Sequence, residues 1–299
     1  MRMEENIIQD STEIEIRTKY INNCYHMMDI FFWIIYGTAA LFIIFILYPM
    51  ALDFIMPLKN ETRIHIIHYV IIFSYNRIIY FDILSLNFMF VGIFGSLSIT
   101  CTESIFGFFS FHASILFKII SYRIQKIVTY LSILNLSSKQ IDKKLTELYR
   151  VVDIHNQAIG LINILINNSG TQFILSSLLC VISMAICLYR LVNAIIAKKD
   201  QLEILISSVF LMIQLMIIFL YNYNNQILID NSQELLNELY ISTWYFVPLK
   251  VQKILLLIMI RSSTLCMFHI LGVFIPCYTG FSKILSTSFS YFTMIYSIQ

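Results

Sequence analysis

Long stretches without charge are the feature that most constrains the fold of this chain. Four of them contain no Asp, Glu, Lys or Arg: residues 30–52, 83–102, 154–189 and 204–229. A fifth, which follows Arg261, is interrupted only by Lys283. About 20 apolar residues in a helix cross the hydrocarbon core of a bilayer, so each stretch is long enough to span it. The apolar residues run continuously rather than alternating, which argues against a transmembrane β-barrel. The sequence therefore predicts an all-α, multi-pass helical membrane protein with about five spans.

The composition agrees with this class and gives no indication of an enzyme. Of the 299 residues, 58% are hydrophobic and 13% are charged, against about 25% charged in a typical soluble domain. The six cysteines are scattered singly, and we interpret them as free thiols. His65 and His68 form an HxxH pair without an acidic residue at ligand spacing, and the sequence contains neither HExxH, a P-loop nor GxSxG. We expect no catalytic residues, no metal, no cofactor and no nucleic-acid partner.

The distribution of Lys and Arg predicts the orientation of the chain. In a five-span topology, segments 1–29, 118–150 and 227–261 share one side of the membrane and hold 13 basic residues, whereas 53–81 and 190–203 hold 6. Basic residues near the ends of spans favour the cytoplasmic side. The N-terminus is therefore predicted to be cytoplasmic and the C-terminus extracellular. The Asn60-Glu61-Thr62 sequon then faces outward, which makes Asn60 a candidate glycosylation site.

These considerations divide the chain into alternating segments. We expect spans at 30–55, 81–105, 171–197, 204–229 and 264–299. Residues 1–29 are predicted to be a cytoplasmic N-terminal segment, 56–80 an extracellular loop and 198–203 an extracellular turn. Residues 106–170 are predicted to form cytoplasmic helices with their loop, and 230–263 a cytoplasmic anchor helix region.

The predicted cytoplasmic helices need packing partners. Residues 113–165 and 247–263 place apolar residues at spacings of three and four with basic residues between them. Pro248 suits the first turn of a helix. We interpret the second segment as a cytoplasmic packing helix, and an interfacial helix that lies on the bilayer is the alternative.

The last apolar segment carries a polar stripe. Steps of three and four residues connect Lys283, Ser286 or Thr287, Ser290, Thr293 or Met294, and Ser297. Such a stripe lines a water-filled pore or packs against another helix through Ser and Thr, and the spacing alone favours neither. A charge within a span is costly unless it reaches water or a partner, so we expect Lys283 to reach one of these.

The amino-acid sequence of the C-terminal part resembles that of one protein family. The run ELYISTWYFVPLKVQKILLLIMIRSS, followed by GVF and then GFSKILSTSFSYFTMIYS, is similar to the C-terminal signature of the insect odorant receptors. Upstream, MPLKNETR, ILFKIISYRIQ and DIHNQAI resemble segments of the same family in the same order. The resemblance covers nearly the whole chain.

The resemblance implies a ligand-gated, nonselective cation channel in the plasma membrane of olfactory neurons. Such a channel is a hetero-tetramer with a shared co-receptor subunit around a central pore lined by the last helix, and small volatile odorants bind in the outer half of each subunit. Alignment on Tyr291 and Phe292 places Met294 and Ile298 at the hydrophobic gate. The candidate pore and gate residues are Lys283, Thr287, Ser290, Met294, Ser297 and Ile298.

Two further sets of residues follow from the predicted spans. Aromatic and aliphatic walls with a few polar groups suit small volatile molecules. The candidate ligand residues are Phe42, Ile43, Phe45, Tyr48, Phe81, Leu84, Phe210 and Gln214. For the intersubunit anchor that the resemblance implies, the candidates are Trp244, Tyr245, Lys250 and Lys253, although an interfacial aromatic belt also explains the Trp-Tyr pair.

One departure from the family leaves the function open. The family has seven spans, and STEIEIRTKY resembles the stretch before its third, so the five predicted spans correspond to the third to the seventh. We expect an odorant receptor subunit. The alternative is a truncated receptor fragment that does not signal.

Overall fold

The fold is built from long helices. A computed structural model describes residues 11–56, 78–133, 137–196, 201–264, 266–268 and 275–298. Within these ranges nearly every residue lies in a helix, which confirms the all-α prediction. The elements are α1 (Ser11–Ile55), α2 (Ile78–Ile133), α3 (Ser138–Ile196), α4 (Gln201–Ile241), a short 3₁₀ helix (Trp244–Phe246), α5 (Leu249–Ser263) and α6 (Tyr278–Ser297).

Helices α2 and α3 are much longer than a membrane is thick. They contain 56 and 59 residues, which at about 1.5 Å per residue exceeds the roughly 30 Å hydrocarbon core more than twofold. The sequence placed segment boundaries after residues 105 and 170, where side-chain polarity changes. Both helices continue through these points because their backbone hydrogen bonds do not depend on side-chain polarity.

Four helical segments of the described chain are long and apolar enough to cross a membrane: Ser11–Tyr48, Leu86–Ser132, Gly170–Ile196 and Ile204–Ile241. In the most apolar windows of the first and last, only 18% and 17% of the window is buried inside the chain. Apolar surface on this scale is rarely left in water, so lipid or further subunits must cover it.

The main core lies where α2, α3, α4 and α5 pack together. It contains Phe117 and Ile124 of α2, Leu148 of α3, Leu235 of α4 and Leu255 of α5, all nearly inaccessible to solvent. A second, smaller cluster joins the other half of α3 to α4 and α6. The chain is therefore tightly packed at one end of the bundle, and more of its apolar surface is exposed at the other.

Candidate functional site

Helix α6 has one face that packs against the rest of the chain. Gly280, Ile284 and Ser288 are buried at a spacing of four residues, which places them on one side of the helix. Ile284 belongs to the second cluster, whose other buried members come from α3 and α4: Val181, Met184, Leu188 and Ile218. The small residues Gly280 and Ser288 allow close approach of these helices.

The predicted polar stripe lies on a different side of α6 from the packed residues. At 100° per residue, Lys283, Ser290 and Ser297 lie about 100–140° around the helix from the centre of the packed face. These side chains, and that of Thr287, are exposed in the single chain. The gate candidates Met294 and Ile298 are 58% and 75% exposed. The structure thus leaves the whole stripe free of contact with the core of its own chain.

The hydroxyl groups of this stripe are bonded within the helix. Thr287 Oγ1 donates to the carbonyl of Lys283 at 2.7 Å, Ser290 Oγ donates to that of Ser286 at 3.0 Å, and Ser297 Oγ donates to that of Met294 at 2.8 Å. Each hydroxyl oxygen keeps lone pairs that can accept hydrogen bonds from water. The stripe can therefore line a wetted surface without another protein partner.

The start of α6 is attached to α4. The backbone N–H of Tyr278 donates to Oε1 of Gln226 at 3.3 Å. The rings of Phe219 and Phe281 pack edge to face with centroids 5.7 Å apart. These contacts fix where the last helix enters the bundle.

The ligand candidates are only partly brought together. The rings of Phe42 on α1 and Phe210 on α4 meet edge to face, with centroids 5.8 Å apart and an angle of 78°. A Cβ atom on Gly92 would lie 3.6 Å from the Phe42 ring, so the backbone of α2 approaches the same ring. Three helices therefore converge at Phe42.

The remaining ligand candidates lie elsewhere or are already engaged. Gln214 Nε2 donates to the carbonyl of Cys180 at 3.1 Å and to the hydroxyl of Ser183, both on α3. Tyr48 is exposed, and Ile43 and Leu84 are half-buried. The side chains of Phe45 and Phe81 lie outside the described part of the structure.

The anchor candidates surround the start of α5. Trp244 packs against the main core, whereas Tyr245 is exposed. The carbonyl of Pro248 accepts from the N–H groups of Val251 and Gln252 at 2.8 and 3.1 Å, which starts the helix. Gln252 Nε2 donates back to the carbonyls of Tyr245 and Val247 at 2.9 and 2.8 Å. This side chain ties the Trp-Tyr turn to the helix that follows it.

The outer face of α5 is exposed in the part of the chain that the structure describes. Lys250 and Lys253 are exposed, as are the apolar residues Leu249, Leu256, Leu257 and Ile260. The candidate glycosylation site Asn60 and the HxxH pair lie outside the described residues.

The comparison with protein families decides the class of the chain. A family model described as 7tm Odorant receptor matches residues 2–289. The chain belongs to the odorant receptor family. It is a multi-pass membrane protein of a receptor family that is not a class of enzymes, and the family resemblance of its C-terminal motifs is confirmed.

Solved structures of odorant receptors share the fold. The insect olfactory receptor OR5 from Machilis hrabei in complex with eugenol matches with a TM-score of 0.67 at 12% identity, and a second structure of the same receptor matches with a TM-score of 0.68 at 11% identity. Each match covers 96% of this chain and 69% of the receptor chain. No curated protein sequence matches the chain.

Two polar features of this odorant receptor chain were missed from sequence. One is the buried ion pair between Glu13 and Arg123, and the other is a small cavity in which Glu103, Tyr221 and Asn224 meet apolar side chains. The second had a visible signal, since the run YNYNNQ at residues 221–226 interrupts an otherwise apolar window. The first had none, because its partners lie 110 residues apart.

Proposed function

We propose that the chain is an odorant receptor subunit that binds small volatile molecules and, together with a co-receptor subunit, gates a nonselective cation channel in the plasma membrane. In this proposal the N-terminus is cytoplasmic, the C-terminus is extracellular, and α6 is the pore-lining last span.

The observation that carries the proposal is the two-sided character of α6. One face packs against α3 and α4 through Ile284 and Ser288, whereas the polar stripe points away from the chain. A single subunit gives that stripe no partner within its described residues. Symmetric assembly around an axis on that side would enclose the stripes of all subunits in a common channel.

The gate and the charge of the proposed pore follow from positions along α6. Met294 and Ile298 are apolar and exposed near the C-terminal end, where a ring of such residues would close a pore by excluding water. Lys283 lies near the other end of the helix and is exposed on the same side. In the assembled channel it would face the inner vestibule and reduce the local concentration of cations.

The odorant is proposed to bind near the convergence of α1, α2 and α4 at Phe42 and Phe210. The edge-to-face ring pair and the close approach of Gly92 give an apolar wall, and binding there would rest on shape and apolar burial. Gln214 would act indirectly, since its hydrogen bonds to α3 hold α4 in place beside this wall.

Assembly is proposed to use the outer face of α5. Its exposed leucine and isoleucine side chains, flanked by Lys250 and Lys253, form an apolar strip with a charged rim. Interfaces commonly have this arrangement. The packing of Trp244 against the main core would set the position of this strip.

Co-expression tests the proposal as a whole. Cells that express the chain together with a co-receptor subunit are screened by whole-cell recording against a panel of volatile compounds, with the co-receptor alone as the control. We expect inward cation currents evoked by a subset of compounds only in cells that contain both subunits. Complexes that reach the cell surface but give no evoked current beyond that of the co-receptor alone would contradict the proposal.

A further inference from the structure

Helix α6 begins without a cap from its own segment. The residue before its first turn is Cys277, whose backbone is extended and whose side chain makes no capping hydrogen bond. The sulfur of Cys277 lies 2.8 Å from Oγ1 of Thr279 instead. The first N–H groups of an α-helix have no acceptor within the helix and require one from elsewhere. The start of α6 therefore depends on acceptors outside the helix.

Gln226 of α4 supplies one such acceptor. The N–H of Tyr278 donates to Oε1 of Gln226 at 3.3 Å, and Nε2 of Gln226 donates to Oδ1 of Asp230 at 2.8 Å. A side-chain amide accepts through its oxygen and donates through its nitrogen, whereas a carboxylate only accepts. The bond to Asp230 therefore fixes the amide with its oxygen towards α6. Asp230 orients Gln226, and Gln226 caps α6 in place of a side chain from its own segment.

The same face of α4 also holds α6 through aromatic contacts. Phe219, Gln226 and Asp230 follow each other at intervals of seven and four residues, which places them on one side of α4. The ring of Phe219 stacks on that of Tyr278, with centroids 6.5 Å apart, and meets that of Phe281 edge to face at 5.7 Å. These ring contacts bury apolar area, which is not directional. The hydrogen bond is directional, so it selects one position of α6 on this face.

The hydrogen bond is small on the scale of folding and large enough to influence a conformational equilibrium. Gln226 is half-buried and Asp230 is exposed. One hydrogen bond of this kind changes a two-state equilibrium by about two- to tenfold. At 100° per residue, Tyr278 lies about 120–140° around α6 from Lys283 and Ser290. The cap can therefore be removed without any change in the residues of the polar stripe.

We propose that Gln226, oriented by Asp230, is a positioning residue for gating. It holds the first turn of α6 in the conformation described here and thereby biases the equilibrium between closed and open pores. This inference rests on the proposed function, in which α6 forms the pore wall. The cap itself is measurable without any odorant.

Hydrogen–deuterium exchange of the purified full chain tests the cap. Gln226→Leu removes the acceptor at similar size, and we expect exchange in peptides that cover the first turn of α6 to become about two- to tenfold faster. Gln226→Glu should also accelerate exchange, because it places a second carboxylate one turn from Asp230. Gln233→Leu changes an exposed glutamine on the same face of α4 and should leave exchange unchanged.

A double variant separates the cap from a general loss of packing. Gln226→Glu combined with Asp230→Asn reverses the roles of donor and acceptor within the pair and retains an acceptor for the N–H of Tyr278. We therefore expect the double variant to restore slow exchange. Unchanged exchange in Gln226→Leu, or fast exchange in the double variant, would overturn the cap.

Odorant-evoked currents of the same variants, expressed with the co-receptor subunit, test the role in gating. We expect the half-maximal odorant concentration to shift by about two- to tenfold in Gln226→Leu and Gln226→Glu at unchanged surface expression, and to return in the double variant. Faster exchange without such a shift, or a shift that the double variant does not reverse, would overturn the gating role. Absence of odorant current from the unmodified chain would overturn the proposed function and this gating role with it, whereas the exchange result would still decide the cap.

Discussion

Arg123 of α2 holds Glu13 of α1 through two hydrogen bonds. Nη2 of Arg123 lies 2.5 Å from Oε1 of Glu13, and Nε lies 3.1 Å from Oε2. The Glu13 side chain is only 5% exposed. This bidentate pair joins α1 to α2, and its two residues are 110 positions apart in sequence. A hydrogen bond between Thr12 and Tyr122 lies next to it.

Removal of one member of this pair is expected to destabilise the chain strongly. Glu13→Gln leaves the guanidinium of Arg123 without its counter-charge in a largely buried position, and breaking such a pair typically costs about 3–5 kcal/mol. We expect the melting temperature of the purified chain to fall by about 10 °C. Glu147→Gln is the matched control, because Glu147 and Lys144 are partly exposed neighbours on one helix and their pair should contribute less. Equal effects of the two substitutions would contradict this account.

A second prediction concerns His155 and pH. Burial in the main core, and next the positive charge of Arg261, lower the pKa of His155 to about 4. The unfolded chain therefore binds a proton near pH 6.5 that the folded chain does not bind until about pH 4. Stability is fully present above pH 6.5 and falls as the pH decreases from 6.5 to 4, by up to about 3 kcal/mol. Thermal unfolding recorded across this range measures the slope.

Substitution identifies the group responsible for that slope. We expect His155→Leu to flatten the dependence between pH 6.5 and 4, because an apolar side chain of similar size binds no proton. His26 is exposed on α1, so His26→Gln should preserve the dependence. If the pH dependence of stability persists in His155→Leu, other titratable groups are responsible for it.

A third prediction separates folding from assembly on α5. Leu255 is fully buried in the main core, whereas Leu257, two residues later, is 66% exposed. Leu255→Ala creates a cavity and should cost about 2–5 kcal/mol of stability. Leu257→Ala should leave the melting temperature of the isolated chain nearly unchanged and reduce the fraction of chain that co-purifies with the co-receptor. Normal co-purification of the Leu257 variant would argue against the outer face of α5 as the interface.

A fourth prediction concerns odorant binding. Phe42→Ala removes the ring against which Phe210 packs. Burial of one aromatic side chain contributes about 1.5–3 kcal/mol. Loss of this contribution corresponds to a roughly 10- to 100-fold loss of odorant affinity. We expect the half-maximal odorant concentration to rise by this factor at unchanged surface expression. Leu41 precedes Phe42 and is 55% exposed, so Leu41→Ala serves as the control. An equal shift in both variants would place the ligand elsewhere.

The sequence predicted the helical class and the polar stripe because both are periodic properties of neighbouring residues. Lys283, Ser290 and Ser297 share a face of any α-helix, whatever surrounds it. The stripe was therefore predictable, whereas its direction away from the chain depends on how Ile284 packs against α3 and α4. Spacing gives no information on such a tertiary contact.

The ligand and cavity residues show the limit more clearly. Phe42 and Phe210 meet because three helices converge, and Gln214 is used for contact with α3 instead. Glu103 lies just beyond an apolar window, and its position beside Tyr221 and Asn224 depends on how α2 packs against α4. Pairing between distant helices is set by packing, which a single sequence without homologues does not reveal.

The most direct test of the proposed pore compares two neighbouring serines on α6. Ser290 lies on the exposed stripe, whereas Ser288 is fully buried on the packed face and donates to the carbonyl of Ile284 at 2.8 Å. Each is changed to cysteine, and a charged thiol reagent is applied during odorant-evoked currents of the complex with the co-receptor, with the unmodified chain as control. We expect the reagent to alter the current through Ser290→Cys channels and to leave Ser288→Cys and unmodified channels unaffected. Two results would contradict the assignment of α6 to the pore wall. One is an effect of the reagent on Ser288→Cys channels, and the other is the absence of any effect on Ser290→Cys channels that open normally.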